Sequence, residues 1–276
     1  MTLLEVEGLS VRFGRRRRRA IEDVSFAIEP SQRLGLIGES GSGKTVTALA
    51  LMGLLPQNAA VGGEIRVNAV SVRDLDEHSY SRLRGDAMSM VFQEPMTALD
   101  PTMRVGRQVA EALLLHSRHQ AGSSRKSVMA MLERVGLDEV GRIADSYPHQ
   151  LSGGQRQRVC IAMALINSPD LVICDEPTTA LDVTVQAKVL QVLNEVLGAE
   201  GAACLFISHD LAVVSQVCDQ VIVMLDGRIV EAGTVAGVFS HPEHPYTKGL
   251  VATARLDQMP PGERLPTVPD FYRGQL

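Results

Sequence analysis

The stretch Gly38-Glu39-Ser40-Gly41-Ser42-Gly43-Lys44-Thr45 constrains this chain more than any other, because it fixes both a local shape and a ligand charge. Its glycines let backbone N–H groups curl around phosphate oxygens, and a helix starting at Lys44 would turn its positive end to the same anion. Such a loop has a mechanism only between a strand and a helix. Both neighbours are present: residues 34–37 form a short apolar run, and residues 44–55 are helix-forming. Lys44 is then expected to reach the β- and γ-phosphates of a nucleotide. Thr45 is expected to offer its hydroxyl to magnesium, with a carboxylate elsewhere as a further ligand. On its own the loop does not separate transporters from kinases, GTPases or motors.

The rest of the chain supplies the setting. Apolar runs at 171–174, 204–207 and 221–225 each lie beside a helical stretch, which predicts an α/β core with a parallel sheet. Near the N-terminus, Leu4, Val6, Leu9 and Val11 alternate with polar residues, and a second alternating stretch covers 20–28. Together they predict an antiparallel hairpin whose solvated tip carries Arg15 to Arg19. Between the strand candidates, Val105, Val109, Leu113, Val128, Met131, Leu132 and Val135 recur at helical spacing, so an α-helical subdomain is expected over about 96–160. The core is expected to span 1–240. Beyond it, residues 241–276 turn polar and rich in proline and are expected to form an extended tail, not a second domain.

Composition removes some functional classes. A formal charge of -5 and a pI near 5.8 leave no basic field for nucleic acid, so no nucleic-acid partner is expected. No apolar run reaches the roughly 20 residues of a membrane span, and no secretory leader pattern opens the chain. A cytoplasmic protein is expected, held at a membrane by docking if at all. The widely spaced Cys160, Cys174, Cys204 and Cys218 read as small core residues in a reducing compartment.

Four further residues carry candidate chemistry. The run 171–174 ends in Asp175-Glu176, with Pro177 stopping the strand. Open α/β sheets bind ligands at the carboxyl ends of their strands, which puts Asp175 forward as the magnesium carboxylate and Glu176 as the base for an attacking water. In isolation, two surface carboxylates ending a strand explain the pair better; the intact phosphate loop turns the balance to the catalytic reading. His209 follows the run 204–207 and is either a structural histidine or a contact to the γ-phosphate. Gln93, after Val91-Phe92, ends a strand and opens the helical region. Its amide could ligate magnesium, touch the attacking water and pass the presence of the γ-phosphate into that subdomain.

Leu151-Ser152-Gly153-Gly154-Gln155-Arg156-Gln157-Arg158 resembles the signature sequence of the ATP-binding cassette (ABC) ATPases. Physically it is a second anion site, a serine hydroxyl and glycine N–H groups at the start of a helix covering 155–166. The resemblance runs over nearly the whole chain. It implies a P-loop NTPase core with a parallel sheet, an N-terminal antiparallel β subdomain and an inserted α-helical subdomain. ATP and Mg2+ are the implied ligands. Residues 38–45 would hold one ATP, and Ser152, Gly153, Gly154 and Gln155 would face the ATP of an opposite subunit in a head-to-tail dimer. Phe13 matches the aromatic that stacks on adenine, Gln93 the loop glutamine, Asp175 and Glu176 the magnesium aspartate and the base, and His209 the switch histidine. Thr179-Ala180-Leu181-Asp182 is similar to the dimer-contacting loop. No catalytic position is degenerate, which implies an active ATPase.

A finer resemblance comes from Met96-Thr97-Ala98-Leu99-Asp100-Pro101-Thr102-Met103-Arg104-Val105-Gly106 and His244-Pro245-Tyr246-Thr247-Lys248-Gly249-Leu250, which are similar to segments of dipeptide, oligopeptide and nickel importers. It implies a second cassette subunit (a copy or a related chain), two transmembrane permease subunits, an extracytoplasmic binding protein and a place on the cytoplasmic face of the membrane. Two rivals are a soluble cassette acting on ribosomes or DNA and a regulatory module that holds ATP without hydrolysing it. The first class usually carries two cassettes or a long coiled-coil insertion, and this sequence shows neither.

Overall fold

In the computed structural model, which describes residues 2–14, 18–116, 124–179 and 181–254, the N-terminal alternation becomes the buried face of strand β1 (Leu4–Phe13). Leu4, Val6, Leu9 and Val11 are all buried although the spacing widens to three between Val6 and Leu9. A register shift at that point resets the phase and keeps both pairs on one face. β1 pairs antiparallel with β2 (Arg18–Ile28), as expected of the hairpin. Arg18 and Arg19 lie within β2, and Arg15 to Arg17 fall outside the described residues. The apolar run before the phosphate loop is β3 (Arg33–Ile37), and the helix after it is α1 (Lys44–Leu51), which stops short of the predicted end before Gly53. Next come β4 (Ala59–Val67) and β5 (Val70–Ser71), which extend the hairpin into a four-stranded sheet of order β2-β1-β4-β5.

The chain then enters a unit made of Glu29–Ser31 and Asp74–Cys204. It opens with α2 (Glu77–Leu83) and β6 (Met88–Val91). The helical subdomain follows as α3 (Pro95–Ala98), α4 (Val105–His116), α5 (Ser124–Arg134) and α6 (Val140–Asp145). Val105, Val109 and Leu113 of α4 and Val128, Met131 and Leu132 of α5 are buried, as their spacing requires. After α7 (Gly153–Leu165) comes β7 (Leu171–Asp175), which runs parallel to β6 and is buried at all five residues. A strand covered on both faces reads as an unbroken apolar run, which is why it was visible without alternation. The unit closes with α8 (Val183–Glu200).

The other unit comprises Thr2–Ile28, Gln32–Arg73 and the chain from Leu205 onward. Its later part contains most of β8 (Ala203–Ser208), then α9 (Leu211–Val217), β9 (Gln220–Leu225), β10 (Arg228–Thr234), α10 (Val235–Ser240) and α11 (Pro245–Ala254). Strands β10, β9, β3 and β8 lie in that order. β3 and β9 are parallel, whereas β10 returns antiparallel through an Asp226-Gly227 turn with positive φ at both residues, so the sheet is mixed. The expected extended tail needs correction: residues 245–254 are helical. Pro245 stands at the first helical position, where proline is well tolerated, and Tyr246, Thr247, Gly249 and Val251 are buried. Residues 255–276 lie outside the described set. All four cysteines are buried, with no disulfide among them.

Candidate nucleotide site

The loop between β3 and α1 is shaped by backbone that few residues adopt. Gly38 has φ 151, and a Cβ placed there would lie 2.3 Å from the Met224 carbonyl oxygen, so no other residue fits. Inside the loop Lys44 is only 5% exposed, and its Nζ donates to the carbonyls of Gly38 (2.7 Å) and Glu39 (2.9 Å). A buried ammonium is costly unless paired, so these carbonyls hold it where an anion would complete its neutralisation. Ser42 adds a buried hydroxyl oxygen without a hydrogen-bond partner. The N-cap of α1 is Gly43, with no side-chain cap and no acid in the first turn, which leaves the positive end of the helix facing whatever the loop binds. Glu39, Ser40, Gly41 and Thr45 are exposed around this cradle. These features fit a phosphate chain. In the same unit, Phe13 is half-buried at the end of β1, paired with Arg18 and Ala59, and His209 is exposed just after β8. Asp210 follows as the N-cap of α9, accepting from the N–H groups of Ala212 and Val213.

The other unit carries the acids. Asp175 ends β7 and is 2% exposed, while Glu176 takes a left-handed φ of 46 before Pro177. Left-handed backbone is uncommon for a non-glycine residue and points to a held position. The Glu176 Oε2 accepts from the Thr179 hydroxyl at 2.9 Å and from the Gln93 amide at 3.3 Å. Gln93 and Glu176, singled out separately in the sequence, are therefore adjacent. Thr179 is an orienting residue that the sequence did not reveal; its place three residues after Glu176 was the available signal. Within this unit Gln93 and Asp175 each present an oxygen, the ligand type of a hard cation such as magnesium, and in the other unit Thr45 presents a hydroxyl of the same type. Among the described residues no group of three or more His, Cys, Asp and Glu could hold a metal ion.

In that unit Ser152 is the N-cap of α7 in a reciprocal capping box. Its Oγ accepts from the Gln155 N–H at 3.3 Å, and the Gln155 Oε1 accepts from the Ser152 N–H at 2.9 Å. A hydroxyl that caps with a lone pair keeps its proton available as a donor. Ser152 and Gly153 are exposed at this tip. Gly154 is buried for a packing reason: an added Cβ would meet Val185 Cγ1 at 2.4 Å, so α7 and α8 approach closely only with glycine there. That constraint stands beside the expected contact to nucleotide.

A family model described as ABC transporter matches residues 21–179. The chain is 47% identical over 251 residues to the oligopeptide transport ATP-binding protein OppD of Escherichia coli (strain K12), an alignment covering 91% of this chain and 74% of that one. It is 44% identical to the probable peptide ABC transporter ATP-binding protein y4tR of Sinorhizobium fredii (strain NBRC 101917 / NGR234), covering 91% and 76%. Among solved structures, the dimeric post-hydrolysis state of the ATP-binding cassette MJ0796 bound to ADP and Pi has a TM-score of 0.75 at 28% identity, over 84% of this chain and 98% of that one. The cbiO1 cassette of Clostridium perfringens, part of the cbiONQ transporter complex, has a TM-score of 0.76 at 26% identity, over 93% and 96%.

Proposed function

Because this chain belongs to the ABC transporter family, we propose that it is the ATP-hydrolysing subunit of an importer for short peptides. The observation that carries the reading is the buried Lys44 ammonium inside a glycine loop shaped for phosphate. The peptide cargo rests on the relatives' names. Residues 38–45 hold the triphosphate and Phe13 stacks on adenine. Thr45, Gln93 and Asp175 hold the magnesium of Mg-ATP, which neutralises phosphate charge when bound. Glu176, oriented by Thr179 and Gln93, takes a proton from the water that attacks the γ-phosphorus, giving ADP and phosphate. His209 contacts the γ-phosphate. Ser152, Gly153, Gly154 and Gln155 of one cassette face the nucleotide of a second cassette, so closure of the pair depends on ATP.

The membrane side of the mechanism falls to the helical subdomain. Phe92 and Met96, flanking Gln93, are 39% and 48% exposed, and Leu115 of α4 is 79% exposed. Apolar side chains beside the glutamine that touches Glu176 suit a permease contact coupled to hydrolysis. The cassette then works at the cytoplasmic face of the membrane with two permease subunits and a binding protein outside. Loss of this chain from its source cell is expected to reduce uptake of a labelled oligopeptide to background, with restoration by the wild-type gene. Unchanged uptake, with the chain recovered on ribosomes or DNA, would favour the soluble-cassette alternative.

A further inference from the structure

The His-Pro-Tyr-Thr segment reaches the phosphate loop through an unbroken series of hydrogen bonds. Glu231, on β10, accepts from the backbone N–H groups of Glu243 and His244, both at 2.9 Å, and so fixes the chain entering α11. Burial alone would raise the Glu231 carboxyl. The nearby Thr247 side chain, those two N–H groups and the His244 ring together outweigh burial and hold it below the usual range. His244 Nδ1 accepts from the Tyr246 N–H at 3.1 Å, which ties the first turn of α11 to the same anchor. Tyr246 is 0% exposed, and its hydroxyl accepts from the backbone N–H of Glu39 at 2.8 Å. Both backbone groups of Glu39 are thereby held, its N–H by Tyr246 and its C=O by Lys44 and the Ser42 N–H.

We propose that Tyr246 is a positioning residue for the phosphate loop: its hydroxyl pins the Glu39 peptide so that the loop and Lys44 are set before ATP arrives. The inference rests on the reading of residues 38–45 as the ATP site. An isolated aromatic anchor would need only a buried ring. Here the polar end of a fully buried tyrosine is spent on a loop amide 207 residues away in sequence. A loop that visits its binding-competent shape only part of the time binds with an affinity reduced by that fraction.

Tyr246→Phe keeps the ring and removes the acceptor. In the full chain it is expected to raise the ATP dissociation constant about two- to twelvefold, the range of one lost hydrogen bond, with the turnover number for phosphate release changed less than about twofold. Amide exchange in the nucleotide-free chain is expected to quicken in the peptide containing Glu39. Val251→Ala, on the same helix but at a residue that lies beside Leu211, Ser215 and Phe239, serves as comparison: it should lower the melting temperature and leave ATP affinity alone. Wild-type affinity and unaltered exchange in Tyr246→Phe would overturn the inference. So would a loss of affinity in both variants proportional to their loss of melting temperature, because α11 would then act through general stability. If the wild-type chain fails to bind ATP, the functional reading falls, while the exchange of the Glu39 amide still decides whether Tyr246 holds the loop.

Discussion

Glu176→Gln is expected to slow phosphate release by about 10²- to 10⁴-fold, the contribution of a positioned general base, while ATP binding stays within a few-fold of wild type. Glutamine has the same shape and can keep an acceptor toward the Thr179 hydroxyl, which bonds Oε2 at 2.9 Å. It also takes the same left-handed backbone at about the same cost as glutamate. What it lacks is the basicity to accept a proton from water. Loss of turnover without loss of binding is therefore the signature of the proposed role. Near-normal release by this variant would remove Glu176 from the chemistry, and equal loss of binding and release would assign it to holding nucleotide.

Lys44→Ala is expected to weaken ATP binding itself, by about 10- to 150-fold, the range of a charge-assisted hydrogen bond to phosphate. Lys44 is 5% exposed and its ammonium rests on two loop carbonyls, so its removal also takes that donor from the Gly38 carbonyl, while the Glu39 carbonyl keeps the Ser42 N–H at 3.2 Å. Folding and binding effects separate in one experiment. Without nucleotide, the melting temperature reports the chain's own stability; its rise on adding ATP reports binding, because a ligand stabilises the folded state by RT ln(1 + c/Kd), where c is the free ATP concentration. At an ATP concentration about ten times the wild-type dissociation constant, the variant should keep about a third of the rise or less. An undiminished rise would show that the cradle does not depend on Lys44.

The parts legible in the sequence were those whose physics is local. Residues 38–45 announced their shape through glycine, and β7 announced itself because a strand buried on both faces is apolar throughout. Helices α4 and α5 followed from a three- and four-residue spacing that the buried side chains bear out. Strand β4 was missed because Ala59 to Gly63 offers little apolar signal; only Ile65 and Val67 alternate, and β1 supplies the rest through pairing. Helix α11 is hidden in the sequence because the prolines of 241–276 predict extended chain, although a proline can also begin a helix, as Pro245 does. Long-range contacts were out of reach altogether. Nothing near Glu39 points to Tyr246, and nothing near Gly154 points to Val185, yet one contact orients the phosphate loop and the other requires the glycine. Between Gln93 and Glu176 the sequence supplied both residues and their proposed chemistry, but not their hydrogen bond.

The pairing of a glycine cradle with a serine-led helix tip across two cassettes is tested most directly by an ATP-loaded structure of the assembled Glu176→Gln complex. Ser152 Oγ of one cassette is expected within about 2.5–3.0 Å of a γ-phosphate oxygen bound to residues 38–45 of its neighbour. A fully assembled, nucleotide-loaded complex in which Ser152 lies far from every γ-phosphate would contradict it.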